Sequence, residues 1–330
     1  MVMATGIVSL ALNGAGYRVA ATLLLGLNVF LYGFLTALLL IRSIRHRLGL
    51  FTDLTNHALA PSFFTLVAAP CVLGCQFLVL LESQAAGMAF WGIGSLFWFL
   101  LTYLMIPGLM EVGEKPKIEK GLNGAWLLTV VGTQSVSVLA SLLAPAARMI
   151  SPEILLFVSL LLWLVGSMLY LWLIALIFHR ILFLPLSPED LTPPYWINMG
   201  AVAISTLAGA TLIDAADRMP LLLDLLPFLK GMTLLFWATG TWWIPVLLAL
   251  GVWRHLIKRV PLTYEHGYWA VVFPLGMYTA CTQSLIRVFR LPFLSGISGL
   301  FLWLAVLAWG VTFVGFLRSL AERECSRPVR

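Results

Sequence analysis

The chain has 330 residues, 61% hydrophobic and only 10% charged, with a formal net charge of +6. Soluble domains carry about 25% charged residues, so this composition excludes a soluble globular protein and indicates lipid as the solvent. The apolar runs lack the period-two polarity of a membrane β-barrel, which leaves helices.

A helix needs about 20 apolar residues to cross the hydrocarbon. Ten runs are read as spans, at 1–16, 19–41, 58–81, 85–107, 122–145, 154–178, 194–213, 225–253, 267–286 and 293–317. The expectation is one helical transmembrane domain over 1–330. Run one, as a helix rising about 1.5 Å per residue, covers about 24 Å, short of the ~30 Å core. Either it starts late in the bilayer or residues are missing upstream. No basic stretch precedes it of the kind that opens a signal peptide.

Loop charge sets the orientation. The loops after even-numbered runs, with the C-terminal tail, hold fourteen Lys and Arg, including Arg42, Arg180, Arg254, Lys258, Arg318, Arg327 and Arg330. The loops after odd runs hold five: Arg18, Arg148, Arg218, Arg287 and Arg290. Positive loops stay inside, so the chain is expected in the inner (plasma) membrane with both termini cytoplasmic. Charge confined to short interhelical loops is no sign of nucleic-acid binding.

The odd runs open with a polar-aromatic lead. These leads are Asn123-Gly124-Ala125-Trp126, Pro193-Pro194-Tyr195-Trp196 and His266-Gly267-Tyr268-Trp269, with His57-Ala58-Leu59-Ala60-Pro61-Ser62-Phe63 one period earlier. A repeated helical hairpin explains the spacing; tryptophan marking the interface explains it too. Odd runs are also rich in small and hydroxyl residues, such as Ala4-Thr5-Gly6-Ile7-Val8-Ser9 and Thr133-Gln134-Ser135-Val136-Ser137. Even runs are dominated by Leu, Phe and Trp. Small residues suit close packing or a wet lumen, and bulky apolar ones suit lipid. The economical arrangement is five odd helices inside five even ones. The odd helices then point their positive ends at the cytoplasmic mouth, which attracts anions. Arg18, Arg287 and Arg290 could serve the external mouth, or be ordinary interface residues.

The ninth run carries Phe273-Pro274 amid an uncharged stretch, 267–285. Proline removes one helical hydrogen bond and kinks the rod, and in lipid such a break is tolerated where protein or a cavity receives the freed carbonyl. A bulky aromatic at a kink suggests a constriction. The competing reading is a plain core aromatic. Pro70 and Gly132 are further kink candidates. Candidate pore-lining residues are Thr5, Gly6, Ser9, Thr65, Pro70, Gly132, Thr133, Ser137, Ser205, Thr206, Gly276 and Thr279. For the hydroxyls, helix packing or bonding to the i−4 carbonyl competes with lining.

No Asp, Glu, Lys or Arg lies at a span centre, which argues against a buried carboxylate proton shuttle. The nearest titratable groups, His57, Glu265 and His266, start odd helices. They are either a proton-coupling mouth or caps at the interface. Cys71, Cys75 and Cys281 read as small core residues, with no His or acid beside them for a metal. No cofactor is expected.

Three stretches resemble the tellurite-resistance/dicarboxylate transporter family, which includes fungal malate permeases, sulfite efflux pumps and plant slow anion channels. They are Met1-Val2-Met3-Ala4-Thr5-Gly6-Ile7-Val8-Ser9, Phe236-Trp237-Ala238-Thr239-Gly240-Thr241-Trp242-Trp243-Ile244-Pro245, and Tyr264-Glu265-His266-Gly267-Tyr268-Trp269 running into Phe273-Pro274-Leu275-Gly276-Met277-Tyr278. The resemblance implies an all-α polytopic protein. Its ten transmembrane helices would form five hairpins with quasi-five-fold symmetry around a central pore, usually in a homotrimer. It implies passage of small anions, C4-dicarboxylates such as malate first, with tellurite- or sulfite-type oxyanion efflux or a channel for inorganic anions as the alternative. Phe273 matches the family's occluding pore phenylalanine. A membrane-embedded enzyme would need convergent catalytic groups at one depth, and a sensor would need an output domain; neither pattern is present.

Overall fold

The computed structural model describes residues 1–325, with side chains as far as Glu322. Arg327, Arg330 and the side chain of Arg323 fall outside the described residues. Among the described residues there is no strand. Ten helices form the body: α1 (Val2–Gly14), α2 (Arg18–Arg45), α3 (Thr65–Leu81), α4 (Gln84–Glu111), α5 (Leu128–Leu143), α6 (Pro152–Phe183), α7 (Ile197–Asp214), α8 (Leu226–Val252), α9 (Trp269–Phe289) and α10 (Ser295–Cys325). Eight of them, taken with their flanking turns, are long and apolar enough to cross a membrane. The exceptions are α1, with 13 residues, and α9, where Thr279, Thr282, Gln283 and Arg287 dilute the apolar content. Length and composition therefore support fewer spans than the ten runs suggested.

The even helices outgrow their apolar runs because their ends carry good terminal signals. Ser83 accepts a hydrogen bond from the Ala86 N–H at the start of α4, as N-cap serines do. Pro152 opens α6 with Glu153 in the first turn, where a fixed φ and a negative charge both suit a helix N-terminus.

Packing separates two layers. α1 packs on α3, α3 on α5, α5 on α7, α7 on α9, and α9 back on α1. This closed circuit of odd helices is buried almost throughout in α5 and α7, whereas only about a fifth of the apolar stretch is buried in each of α2, α4, α8 and α10. Each even helix lies against the odd helix before it. Small residues permit the close approaches within the circuit. A Cβ on Gly200 of α7 would sit 2.8 Å from the Pro274 ring, and one on Gly276 of α9 would sit 2.8 Å from Ile7 of α1.

Each even helix also sends one polar group forward to the next odd helix. Asn28 of α2 donates to Gln76 of α3 at 2.6 Å, and the Trp98 indole of α4 donates to the Thr133 hydroxyl of α5 at 2.8 Å. Trp163 of α6 donates to the Ser205 carbonyl of α7 at 2.9 Å, and Trp237 of α8 to Thr282 of α9 at 3.1 Å. Trp309 of α10 completes the series on Thr5 of α1, at 3.0 Å. Hydrocarbon offers an indole N–H no partner, so the neighbouring helix supplies one. The expectation that bulky even-helix side chains simply face lipid fails for these four tryptophans.

The polar-aromatic leads become 3₁₀ turns ahead of the odd helices: Ala60–Phe64, Gly124–Leu127, Pro193–Trp196 and His266–Tyr268. They touch in sequence, forming a collar at one end of the circuit. Asn123 joins two of them, accepting from Ala125 N–H and donating to the Ala58 carbonyl at 3.1 Å. Gly124 meets the next lead backbone to backbone. A Cβ there would fall 2.7 Å from Tyr195 N and closer still to the Pro194 carbonyl oxygen.

Gly124→Ala is expected to cost about 1–3 kcal/mol, since overpacking against backbone has no rotamer to relieve it. Gly231→Ala, where nothing lies within 4 Å of a Cβ, should leave the melting temperature in detergent unchanged or higher. Trp309→Phe and Thr5→Val should each destabilise by about 0.6–1.5 kcal/mol, with the double variant less than additive. Strict additivity would show that the two groups are not bonded.

Candidate functional site

The collar end of the circuit is held by two arginines at equivalent places. Arg180 in the last turn of α6 and Arg254 just past the end of α8 stand equally far from the starts of their helices. Each reaches a carbonyl just ahead of a lead. Arg180 donates from Nη1 to Leu122 O and to the Tyr195 hydroxyl, the latter at 2.7 Å. Arg254 donates from Nη1 to Leu191 O. Arg180 is almost fully buried, and its Nη2 stands 3.4 Å from Asp190. The Ser187 backbone N–H, with Arg180 adding its charge, holds the Asp190 carboxyl below the usual carboxylate range. Arg254 belongs to the π-turn Trp253–Ile257 that ends α8, and has no carboxylate within salt-bridge distance among the described residues. Both arginines entered the sequence reading only as loop charge. Their common offset from the helix starts is the signal that could have marked them as a pair.

The three mouth residues do not converge. His57 lies beside Gly121, below the α5 lead. Glu265 and His266 are exposed at the α9 lead, where the His266 ring stands 5.8 Å from that of Tyr264. No hydrogen bond or ion pair joins His57 to either of them.

The hydroxyls of the inner helices are engaged. Thr5 accepts from Trp309, Ser9 donates to Ala21 O of α2 at 2.7 Å, and Thr133 accepts from Trp98. Ser137 pairs with Ser159 of α6 at 3.0 Å. Ser205, Thr206 and Thr279 bond to their own i−4 carbonyls. Thr65 is exposed and bonds to Ser62 O. Gly6 closes on Val72, Gly132 on Phe64 and Val67, and Gly276 on Ile7. Pro70 is buried within α3. Thr5, Ser9, Thr133 and Ser137 are thus turned toward the outer layer, whereas the hydroxyls of Ser205, Thr206 and Thr279 are satisfied within their own helices.

Helical periodicity shows what remains for the inner face. Tyr278 of α9 bonds to Thr241 of α8 at 2.7 Å and its ring meets Phe301 of α10, so its side is the outward one. Phe273 lies roughly 140° around the helix from it. Its ring is 2% exposed, beside Pro274, which packs on Gly200 of α7. On α1, Ile7 lies roughly 200° from both Thr5 and Ser9 and meets α9 at Gly276. Phe273 and Ile7 thus place apolar side chains on the sides of α9 and α1 turned away from the outer layer. Asn198 of α7 is fully buried with neither amide atom bonded.

At the other end of the circuit, Arg287 of α9 stands 3.5 Å from Asp214 of α7, with both side chains exposed. Cys71 is buried against Gly94 of α4, and Cys75 and Cys281 are buried too.

Residues 1–317 match the model of the family described as voltage-dependent anion channel. An uncharacterized transporter of Methanocaldococcus jannaschii is 27% identical over 302 residues, 92% of this chain and 86% of its own. A second uncharacterized transporter of that organism is 27% identical over 288 residues, 87% and 80% of the two chains. An uncharacterized membrane protein of Mycobacterium tuberculosis is 44% identical over 147 residues, 44% of this chain and 74% of its own. With a match over nearly its whole length and a closed circuit of apolar helices, the chain is a multi-pass membrane protein that belongs to the voltage-dependent anion channel family, the tellurite-resistance/dicarboxylate transporter group that its sequence resembles.

Proposed function

We propose that the circuit of odd helices is a central pore for small anions, C4-dicarboxylates such as malate first among them, and that Phe273 is its gate. The observation that carries this reading is the position of Phe273: sealed from solvent, on the side of α9 away from the outer layer, next to Pro274. A proline removes one backbone hydrogen bond, so a small change of bend there could swing the ring aside. The odd-on-odd and even-on-odd packing supports ten spans arranged as five hairpins with quasi-five-fold symmetry in a single domain, 1–330. The charge distribution supports an inner-membrane location with cytoplasmic termini. The unburied faces of α2, α4, α8 and α10 suit lipid and a homotrimer.

The second reading is passage of a compact oxyanion such as sulfite or tellurite, or of an inorganic anion. It is favoured by the inner sides of α1 and α9, where Ile7 and Phe273 are apolar and no pair of fixed cations matches two carboxylates. The relatives named as transporters fit either reading.

The test is flux into proteoliposomes for malate, sulfite and chloride at clamped voltage, with and without a pH gradient. Phe273→Ala should raise flux of the conducted anion roughly tenfold, the effect of lowering a barrier by about 1.4 kcal/mol. Unchanged or lower flux through a variant that still inserts would remove Phe273 as the gate. Failure of the native chain to move any of the three would remove the reading as a whole.

A further inference from the structure

The collar borders a half-open cavity of about 60 Å³ between the α7 lead, the α9 lead and the end of α8. Arg254, His255, Thr192, Tyr195 and Tyr268 line it among apolar side chains such as Trp196, with Gly251 on the α8 side. A space that size holds several waters or one compact ion. Arg254 gives it its character. Nη1 is committed to Leu191 O, and Nε is buried with no hydrogen-bond partner. Nη2, which makes no hydrogen bond among the described residues, is left for a carboxylate or oxyanion, which a guanidinium grips with charge-assisted hydrogen bonds.

Arg180 supplies the comparison. It occupies the same place one even helix earlier, makes the same bond to a carbonyl ahead of a lead, and also has an unpartnered Nε. Its charge, however, is answered by Asp190 at 3.4 Å. No described carboxylate does this for Arg254. A partly buried cation without a counter-ion is costly, and the π-turn that carries it is a rare element frequent at functional sites. The Thr192 hydroxyl takes part in no hydrogen bond of its own and adds a further donor on the wall.

We propose that this cavity is an anion-binding site, in which one compact oxyanion group takes the place at Arg254 that Asp190 takes at Arg180. The group is either one carboxylate of a dicarboxylate or a free inorganic oxyanion. The inference rests on the anion-transport reading only for the source of the ligand; the site would hold an anion at the collar, between two inner-helix leads and the end of α8.

Isothermal calorimetry on the whole purified chain in detergent, titrated with sodium malate and separately with sodium sulfate, tests it. Saturable one-site binding is expected for at least one of them, and which one binds identifies the source. Arg254→Gln should weaken it about tenfold or more, the usual loss for a charged hydrogen bond. Because Arg254 also secures Leu191, a second variant leaves it in place. Thr192→Val removes the hydroxyl on the wall and should weaken binding about threefold or more while keeping the native melting temperature. No saturable binding of either anion, or native affinity in both Arg254→Gln and Thr192→Val, would overturn the site. Arg254-dependent binding in a chain that moves no anion in proteoliposomes would sink the transport reading and leave the site standing. Flux that persists without any such binding would do the reverse.

Discussion

The bond from the Trp309 indole to the Thr5 hydroxyl joins the last helix to the first across 304 residues of sequence. It closes the circuit together with Gln283, which donates to the Ala11 carbonyl at 3.0 Å. In hydrocarbon a polar group finds no water, so its partner must come from another helix. Four tryptophans and one asparagine obey that rule in the same direction, each from an even helix to the odd helix that follows. The order of helices around the body follows from it, because a helix leaving its place would strand donors on both sides. Burial adds to this only weakly, since lipid is as apolar as the leucines it would replace.

The same economy governs the charged end. Arg180 and Arg254 lie among the basic residues on which the expected orientation rests, and they also tie the leads of the inner helices to the ends of the outer ones. A guanidinium suits both tasks, being always charged and offering several donors in a fixed fork. The collar is built from backbone contacts such as Gly124 on Pro194, and the inner helices begin on it.

With the inner hydroxyls bonded to neighbours or within their own helices, a path through the circuit would meet apolar side chains at Ile7 of α1 and Phe273 of α9. Conduction past such a surface would be controlled by width and by wetting rather than by fixed charge. That matches the absence of ionisable residues at the span centres and fits the proposed gate at Phe273. The fixed positive charge sits at the collar, where it could concentrate anions without trapping them inside the lipid.

Much of this was written in the sequence. The apolar runs announced helices in lipid because no other solvent accepts such a composition, the small residues of the odd runs announced close packing, and the leads announced where the inner helices begin. Phe273-Pro274 stood out because a proline in an uncharged span is a local anomaly, and the structure buries Phe273 beside that proline within α9. Periodicity could not say which neighbour each face would meet. Thr5, Ser9 and Thr133 looked like lining because a hydroxyl in an apolar helix needs a partner, and sequence names the need but not the supplier. Tertiary structure alone decided that Trp309, Ala21 and Trp98 are those partners, that Thr65 is exposed, and that Arg180 meets a carboxylate where Arg254 meets none. The physical reason is that helix formation depends on neighbours four residues away, whereas partner choice depends on which faces meet after residues hundreds of positions apart have packed.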